Sequence, residues 1–255
     1  MAEPILTASG ITMRFGGLIS VNNMDFALYK NEIVGIIGPN GAGKTTFFNV
    51  LTGIYQPESG SICFHGMEII GKKVHEITAM GMARTFQNIR LFPHMTVLET
   101  VMLGMHSKTR SRILDILLRT PTLRKTEKEA EERAIELLKL TGLDKYRYEY
   151  GTSLPYGMQR RLEIARAMAS QPEILLLDEP AAGMNEQETS DLSAFIKSLR
   201  EMGYTIILIE HDMRLVMDIC DRIYVLDHGV LIAVGEPEEI SSNPQVIEVY
   251  LGREE

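Results

Sequence analysis

Cysteine is scarce in this chain of 255 residues. Cys63 and Cys220 stand far apart and form no CxxC pair, which excludes a disulfide framework or a cysteine zinc site and suits ordinary thiols in a reducing compartment. An excess of positive charge is also missing. The formal net charge is −8 and the pI about 5.4, which argues against a broad nucleic-acid surface. Long apolar runs are lacking too. The strongest, IVGIIG, ILLLD and TIILIE, reach a third or less of the roughly 20 residues a membrane-spanning helix needs, and they read as buried strands of a parallel sheet. The opening MAEPILTASG is acidic and broken by Pro4 and Gly10, without the basic-then-apolar pattern of a signal peptide. The expectation is a cytoplasmic protein whose membrane role, if any, works through partners or surface attachment. The length suits one large domain or a core with an inserted subdomain.

What the chain does have is a phosphate-binding loop. Residues 33–50, IVGIIGPNGAGKTTFFNV, give an apolar run, a glycine-rich turn and a helix, with G-x-x-x-x-G-K-[ST] at 38–45. Gly38, Gly41 and Gly43 permit backbone conformations that turn successive N–H groups inward around an anion. Lys44 adds a point charge for β- and γ-phosphates, Thr45 offers a hydroxyl to Mg2+, and the helix opening at Thr45 and Thr46 contributes its positive end. A nucleoside triphosphate is the expected occupant.

Ahead of the loop, residues 5–29 read as short strands with turns at Gly16-Gly17 and Asn22-Asn23, an antiparallel lobe. Phe15 could stack on a base there and Val21 could line the same apolar wall. Beyond it, YQPESGSICFHG extends a sheet, and Gln87 emerges from a strand-like run into a polar loop where its carbonyl oxygen could take Mg2+ and orient water. Residues 107–128 form one basic island, with a short amphipathic helix ended by Pro121. A solvated face is the plain reading of the island, and contact with anionic lipid headgroups or a membrane partner the sharper one. A charged helix follows over 126–141, stopped by Gly142.

The second informative stretch is TSLPYGMQRRLEIARAMASQPEILLLDEP. A turn opens a helix, and an apolar strand then ends in two carboxylates, Asp178 and Glu179, at the edge where α/β sheets place ligands. Asp178 suits support of Mg2+, and Glu179 suits acceptance of a proton from water. The next strand leads to His211, a potential donor to a terminal phosphate. RIYVLDHGVLIAVGEPEEI reads as a hairpin and a helix start.

Taken in order, the phosphate loop, Gln87, LPYGMQ, ILLLDEP and His211 resemble the nucleotide-binding subunits of ABC transporters over essentially the whole chain. That resemblance implies a RecA-like P-loop NTPase core of α/β class with an N-terminal antiparallel β-subdomain and an inserted α-helical subdomain. Residues 1–87 and 172–255 would form the core and β-lobe, and 88–171 the helical part, within a single ATPase domain. It implies ATP and Mg2+ as cofactors. Lys44, Gln87, Glu179 and His211 are then catalytic, and Thr45, Gln87 and Asp178 hold metal. Phe15, Val21, Gly38, Pro39, Asn40, Gly41, Ala42, Gly43, Lys44, Thr45 and Thr46 bind nucleotide. In that family ATP lies between two domains head to tail, so Tyr156, Gly157, Met158 and Asn185 would serve the partner's site.

RTFQNIRLFPHMTVLETV, the basic insertion, YGMQRRLEIARAM, DEPAAGMN and PEEISSNPQVIEVYLG are similar to the longer ATPase subunit of branched-chain amino-acid importers. The implied partners are a second ATPase subunit, two transmembrane permeases and, indirectly, a substrate-binding protein, at the cytoplasmic face of the cell membrane. The alternatives are urea or amide transport, or lipopolysaccharide export, whose ATPase shares the ending but usually lacks the insertion. Two departures stand out. The family's signature, LSGGQ, is LPYGM here at Leu154 to Met158, so Pro155 replaces the serine that contacts the γ-phosphate, and Asn185 stands where an aspartate is usual. A soluble ABC ATPase of DNA repair or translation would show paired domains, a long coiled coil or zinc cysteines. A module that only holds nucleotide would more plausibly lack Glu179 or His211.

Overall fold

The computed structural model describes residues 3–105 and 121–251. Among the described residues ten strands make two sheets. A six-stranded sheet runs in the order β10-β9-β3-β8-β7-β6, with β3 (Ile33–Ile37), β6 (Met82–Arg84), β7 (Ile174–Asp178), β8 (Thr205–Ile209) and β9 (Arg222–Asp227) parallel. β10 (Val230–Gly235) turns back antiparallel on β9. A four-stranded antiparallel sheet, β2-β1-β4-β5, is built from β1 (Leu6–Phe15), β2 (Leu18–Leu28), β4 (Ser59–Phe64) and β5 (Met67–Glu68).

The three apolar runs lie in the middle of the larger sheet because both its faces are covered. Ile33, Ile37, Leu175, Leu177, Ile206 and Leu208 enter one core. They share it with α4 (Pro121–Leu140), α5 (Tyr156–Met168), α6 (Glu186–Glu201) and α7 (Met213–Ile219). Their alternates, Val34, Ile36, Ile174, Leu176, Ile207 and Ile209, enter a second core. That core lies against β1, β2, β4 and α1 (Lys44–Leu51), whose Phe47, Phe48 and Leu51 are fully buried. A strand buried on both faces cannot alternate polar with apolar, hence the continuous runs. On the helical side α3 (Val97–Gly104) packs against α4 and α5. Its last residue permits close approach, since a Cβ on Gly104 would come within 2.1 Å of the Arg166 carbonyl oxygen. The remaining α-helices among the described residues are α2 (Val74–Met80), α8 (Pro237–Ser242) and α9 (Pro244–Leu251).

Two local expectations are corrected. Asn22-Asn23 is no turn between strands. Ile11 pairs with Met24 and Met13 with Val21, so β2 carries one extra residue there, a bulge with Asn23 at φ 49°. The Asn22 N–H is drawn out to the Gly229 carbonyl at 2.8 Å, which offsets the lost ladder bond. Pro121 is the first described residue of α4. Val21 lines no open wall, being completely buried in the second core. The helix expected before Pro121, and most of the basic island, lie outside the described residues.

Candidate active site

The phosphate loop joins the middle strand β3 to α1 and forms one wall of a cavity of about 280 Å3. Gly38, Gly41 and Gly43 all have positive φ, at 147°, 83° and 97°. The first and last have no room for a side chain: a Cβ would come 2.0 Å from the Leu226 carbonyl oxygen at Gly38 and 2.2 Å from that of Ser20 at Gly43. The β9–β10 turn braces the loop from behind through Gly229 N–H to the Ala42 carbonyl at 3.0 Å. Residues 40–46 line the cavity with Leu18, Ser20, Glu179 and His211. Lys44 folds over the loop and donates to the carbonyls of Gly38 (2.7 Å) and Pro39 (2.9 Å). Burial pushes its ammonium below the ordinary lysine pKa, and the Glu179 carboxylate opposes that shift. Thr45 is exposed to the cavity, whereas Thr46 accepts a hydrogen bond from the Ser20 hydroxyl at 2.8 Å.

The opposite wall comes from the ends of β7 and β8. Glu179 leaves β7 at φ 45°, a region unfavourable for a residue with a side chain, and its N–H donates to the Ile209 carbonyl at 2.9 Å. One carboxylate oxygen accepts from the Gln87 amide nitrogen at 2.6 Å, and the other meets His211 Nε2 at 2.7 Å. A carboxylate only accepts, so the hydrogen on that second contact belongs to the imidazole. The structure thus brings Gln87, Glu179 and His211 together from three separate segments. Asp178 is elsewhere. It is buried, paired with Arg84 at 2.7 Å, and does not line the cavity. Phe15, Val21, Gly38 and Pro39 do not line it either. Phe15 is 43 % exposed and packs edge-on against Tyr55, with ring centroids 5.2 Å apart.

The residues expected to serve a second copy form a separate face. Tyr156, Gly157, Met158 and Asn185 stay out of the cavity. Asn185 caps α6 in a reciprocal box with Glu188, at 3.0 and 3.1 Å. The same Glu188 lies where a Cβ on Gly157 would meet it at 3.3 Å, so the cap of α6 and the start of α5 are neighbours. Pro155 is the cap residue of α5 and makes no side-chain cap bond.

Several site residues escaped the sequence reading. Arg84 binds Asp178, the Asn49 side-chain oxygen at 2.7 Å and Thr52 at 3.2 Å. Its nearness to Gln87 in RTFQ was the one available signal. Arg160, on the helix that the LPYG turn opens, is completely buried, which nothing in its local sequence signals. Glu210 is buried beside the site and accepts from the Ala181 and His211 N–H groups at 2.7 and 3.0 Å. Burial pushes its carboxyl above the ordinary range, opposed by the backbone N–H groups of Ala181, His211 and Asp212.

A backbone cradle for phosphate, a carboxylate opposite it and a sheet edge between them define a P-loop nucleotide hydrolase subunit. Residues 21–182 match the family model described as ABC transporter, and residues 230–255 match that of the branched-chain amino acid ATP-binding cassette transporter. The chain is 50% identical over 253 residues to the high-affinity branched-chain amino acid transport ATP-binding protein LivG of Escherichia coli K12, covering 99% of each. A solved nucleotide-free ATP-binding cassette of an ABC transporter superposes with a TM-score of 0.85 at 30% identity, covering 98% of this chain and 100% of that one. A dimeric ATP-binding cassette in a post-hydrolysis state, bound to ADP and Pi, matches with a TM-score of 0.76 at 25% identity over 91% of this chain and 98% of that one. The chain belongs to the ABC transporter family, as an ATP-binding subunit.

Proposed function

We propose that this chain hydrolyses MgATP to power import of branched-chain or related hydrophobic amino acids. The observation that carries the chemistry is the Glu179 carboxylate, held between Gln87 and His211 across the cavity from the loop. Lys44 exchanges the carbonyls of Gly38 and Pro39 for β- and γ-phosphate oxygens, and the loop N–H groups fix those oxygens in place. Glu179 accepts the proton of the attacking water, which Gln87 orients once its amide lets go of the carboxylate. His211 then donates to the charge developing on the γ-phosphate. The donor set fits magnesium: Thr45 offers a hydroxyl to the cavity, and Gln87, outside its lining, carries its amide oxygen beside Glu179, while Asp178 and Arg84 stand behind. Few protein ligands plus phosphates is the usual manner of holding that ion, which neutralises phosphate charge when bound. Among the described residues no cluster of three or more His, Cys, Asp or Glu side chains offers an alternative metal site.

The substrate assignment rests on LivG, whose name carries branched-chain amino acid transport, and on the matching tail at 230–255. The dimeric relative supports a paired ATPase; in the head-to-tail arrangement that the family resemblance implies, Tyr156, Gly157, Met158 and Asn185 reach the partner's nucleotide, with Phe15 on the base. Two permeases, and a substrate-binding protein beyond them, complete the assembly at the cytoplasmic membrane face. No helix among the described residues is long and apolar enough to cross a membrane. The division into a core at 1–87 and 172–255 and a helical part at 88–171 belongs to the same reading. The test is steady-state hydrolysis with and without Mg2+, together with leucine uptake by cells in which the native gene is replaced. Glu179→Gln is expected to bind MgATP while turnover and uptake fall by about 10²-fold or more. Full hydrolysis by that variant refutes the base, and unchanged uptake in cells lacking the chain refutes the transport assignment.

A further inference from the structure

Arg160 stands one turn into α5, 0 % exposed, and does not line the cavity. Its guanidinium donates to the carbonyls of Phe86 and Gln87, each at 2.8 Å, and more loosely to the Glu179 carbonyl and the Tyr156 hydroxyl, each at 3.4 Å. Glu163, itself buried, balances the charge at 3.0 Å. That carboxylate is held in turn by Arg166 at 3.4 Å, and Arg166 also reaches the Arg90 carbonyl at 2.6 Å. Stability alone gives little reason for such an arrangement. An interior ion pair seldom outperforms apolar side chains of equal volume, because both charges lose their hydration. What the guanidinium does that a leucine could not is hold main chain at two places in the site. The Gln87 amide reaches the Glu179 carboxylate, and Glu179 sits at φ 45° with its N–H tied to Ile209. A backbone in that region persists only where its surroundings determine it from several sides.

We propose that Arg160 is a positioning residue that keeps Gln87 and Glu179 in mutual register from the signature helix, so that residues 86–87, the carboxylate and the start of α5 shift as one body. The inference rests on the hydrolytic role of Glu179 proposed above. Lysine keeps the charge but loses the planar fork that spans two carbonyls. Arg160→Lys in the full chain is expected to lower kcat for ATP about tenfold and to leave ATP affinity within about twofold. In a Gln87→Ala background the same change is expected to cost less than about twofold, because the register it guards is already gone. Arg160→Met paired with Glu163→Leu removes the grip together with its buried counter-charge, leaving the partly exposed Arg166 on the Arg90 carbonyl. It is expected to melt within a few degrees of wild type and to show the same loss of kcat. An active wild type with Arg160→Lys and the Met/Leu pair equally active overturns the inference and leaves the ATPase reading standing. So does a tenfold loss of equal size with and without Gln87, or a loss wholly accounted for by unfolded protein. A wild type without hydrolysis overturns both.

Discussion

The phosphate loop and the signature segment are both glycine-containing turns that open a helix, and they are built on opposite plans. The loop is enclosed by main chain: at Gly38 and Gly43 a Cβ would meet carbonyl oxygens at 2.0 and 2.2 Å. At Gly157 the nearest atom is the end of the flexible Glu188 side chain, at 3.3 Å. Backbone cannot yield, whereas a carboxylate can rotate away. The loop is therefore complete within one chain, while the signature face is a surface shaped by side chains and left open. In this chain it carries Pro155 and Asn185, the two departures from the family's usual pattern.

The comparison breaks most easily at Gly43. With φ 97° and Ser20 against it, Gly43→Ala is expected to weaken ATP binding more than about hundredfold, measured by titration with a fluorescent analogue. Near-normal affinity would show the cradle to be as pliable as the signature face. A smaller effect is expected at Pro155, which caps α5 at φ −52° and ψ 150° without a side-chain bond. Pro155→Ser fits that backbone and supplies both a cap and the missing donor, so basal ATPase should rise about two- to fivefold and stability by about 0.5–1 kcal/mol. A stability gain with unchanged turnover would confine the serine to capping. The smallest effect belongs to Asn185. Asn185→Ala removes the α6 cap at a cost of about 1 kcal/mol, a fall of about 2–4 °C in melting temperature. Asn185→Asp should retain the cap and leave melting unchanged. Equal losses from both substitutions would place the role of the amide outside capping.

Much of the cradle was legible because its chemistry is local. The spacing of three glycines, Lys44 and Thr45 dictates strand, turn and helix, and the apolar runs around it specify a sheet covered on both faces. The opposite wall was legible only residue by residue. Gln87, Glu179 and His211 could each be suspected, but no spacing along the chain says that one carboxylate binds both others. Arg84 and Arg160 were not legible at all as interior groups. An arginine in a helix reads as solvated until the fold places carbonyls and a carboxylate around it. The Asn22-Asn23 error has a similar origin. The pair carries turn chemistry, but a tertiary bond to Gly229 makes a bulge the better outcome.

Local sequence specifies the phosphate loop, the buried parallel strands and the pair of carboxylates ending β7, because each depends on residues within a few positions of one another. Only the tertiary structure decided which acid faces the cavity: Asp178 turns to Arg84, and Glu179, at positive φ, turns to Gln87 and His211. The reason is topological. Parallel strands bring the ends of β6, β7 and β8 to one edge, though nearly a hundred residues separate Gln87 from Glu179, and those carbonyls and carboxylates then select which arginines are buried.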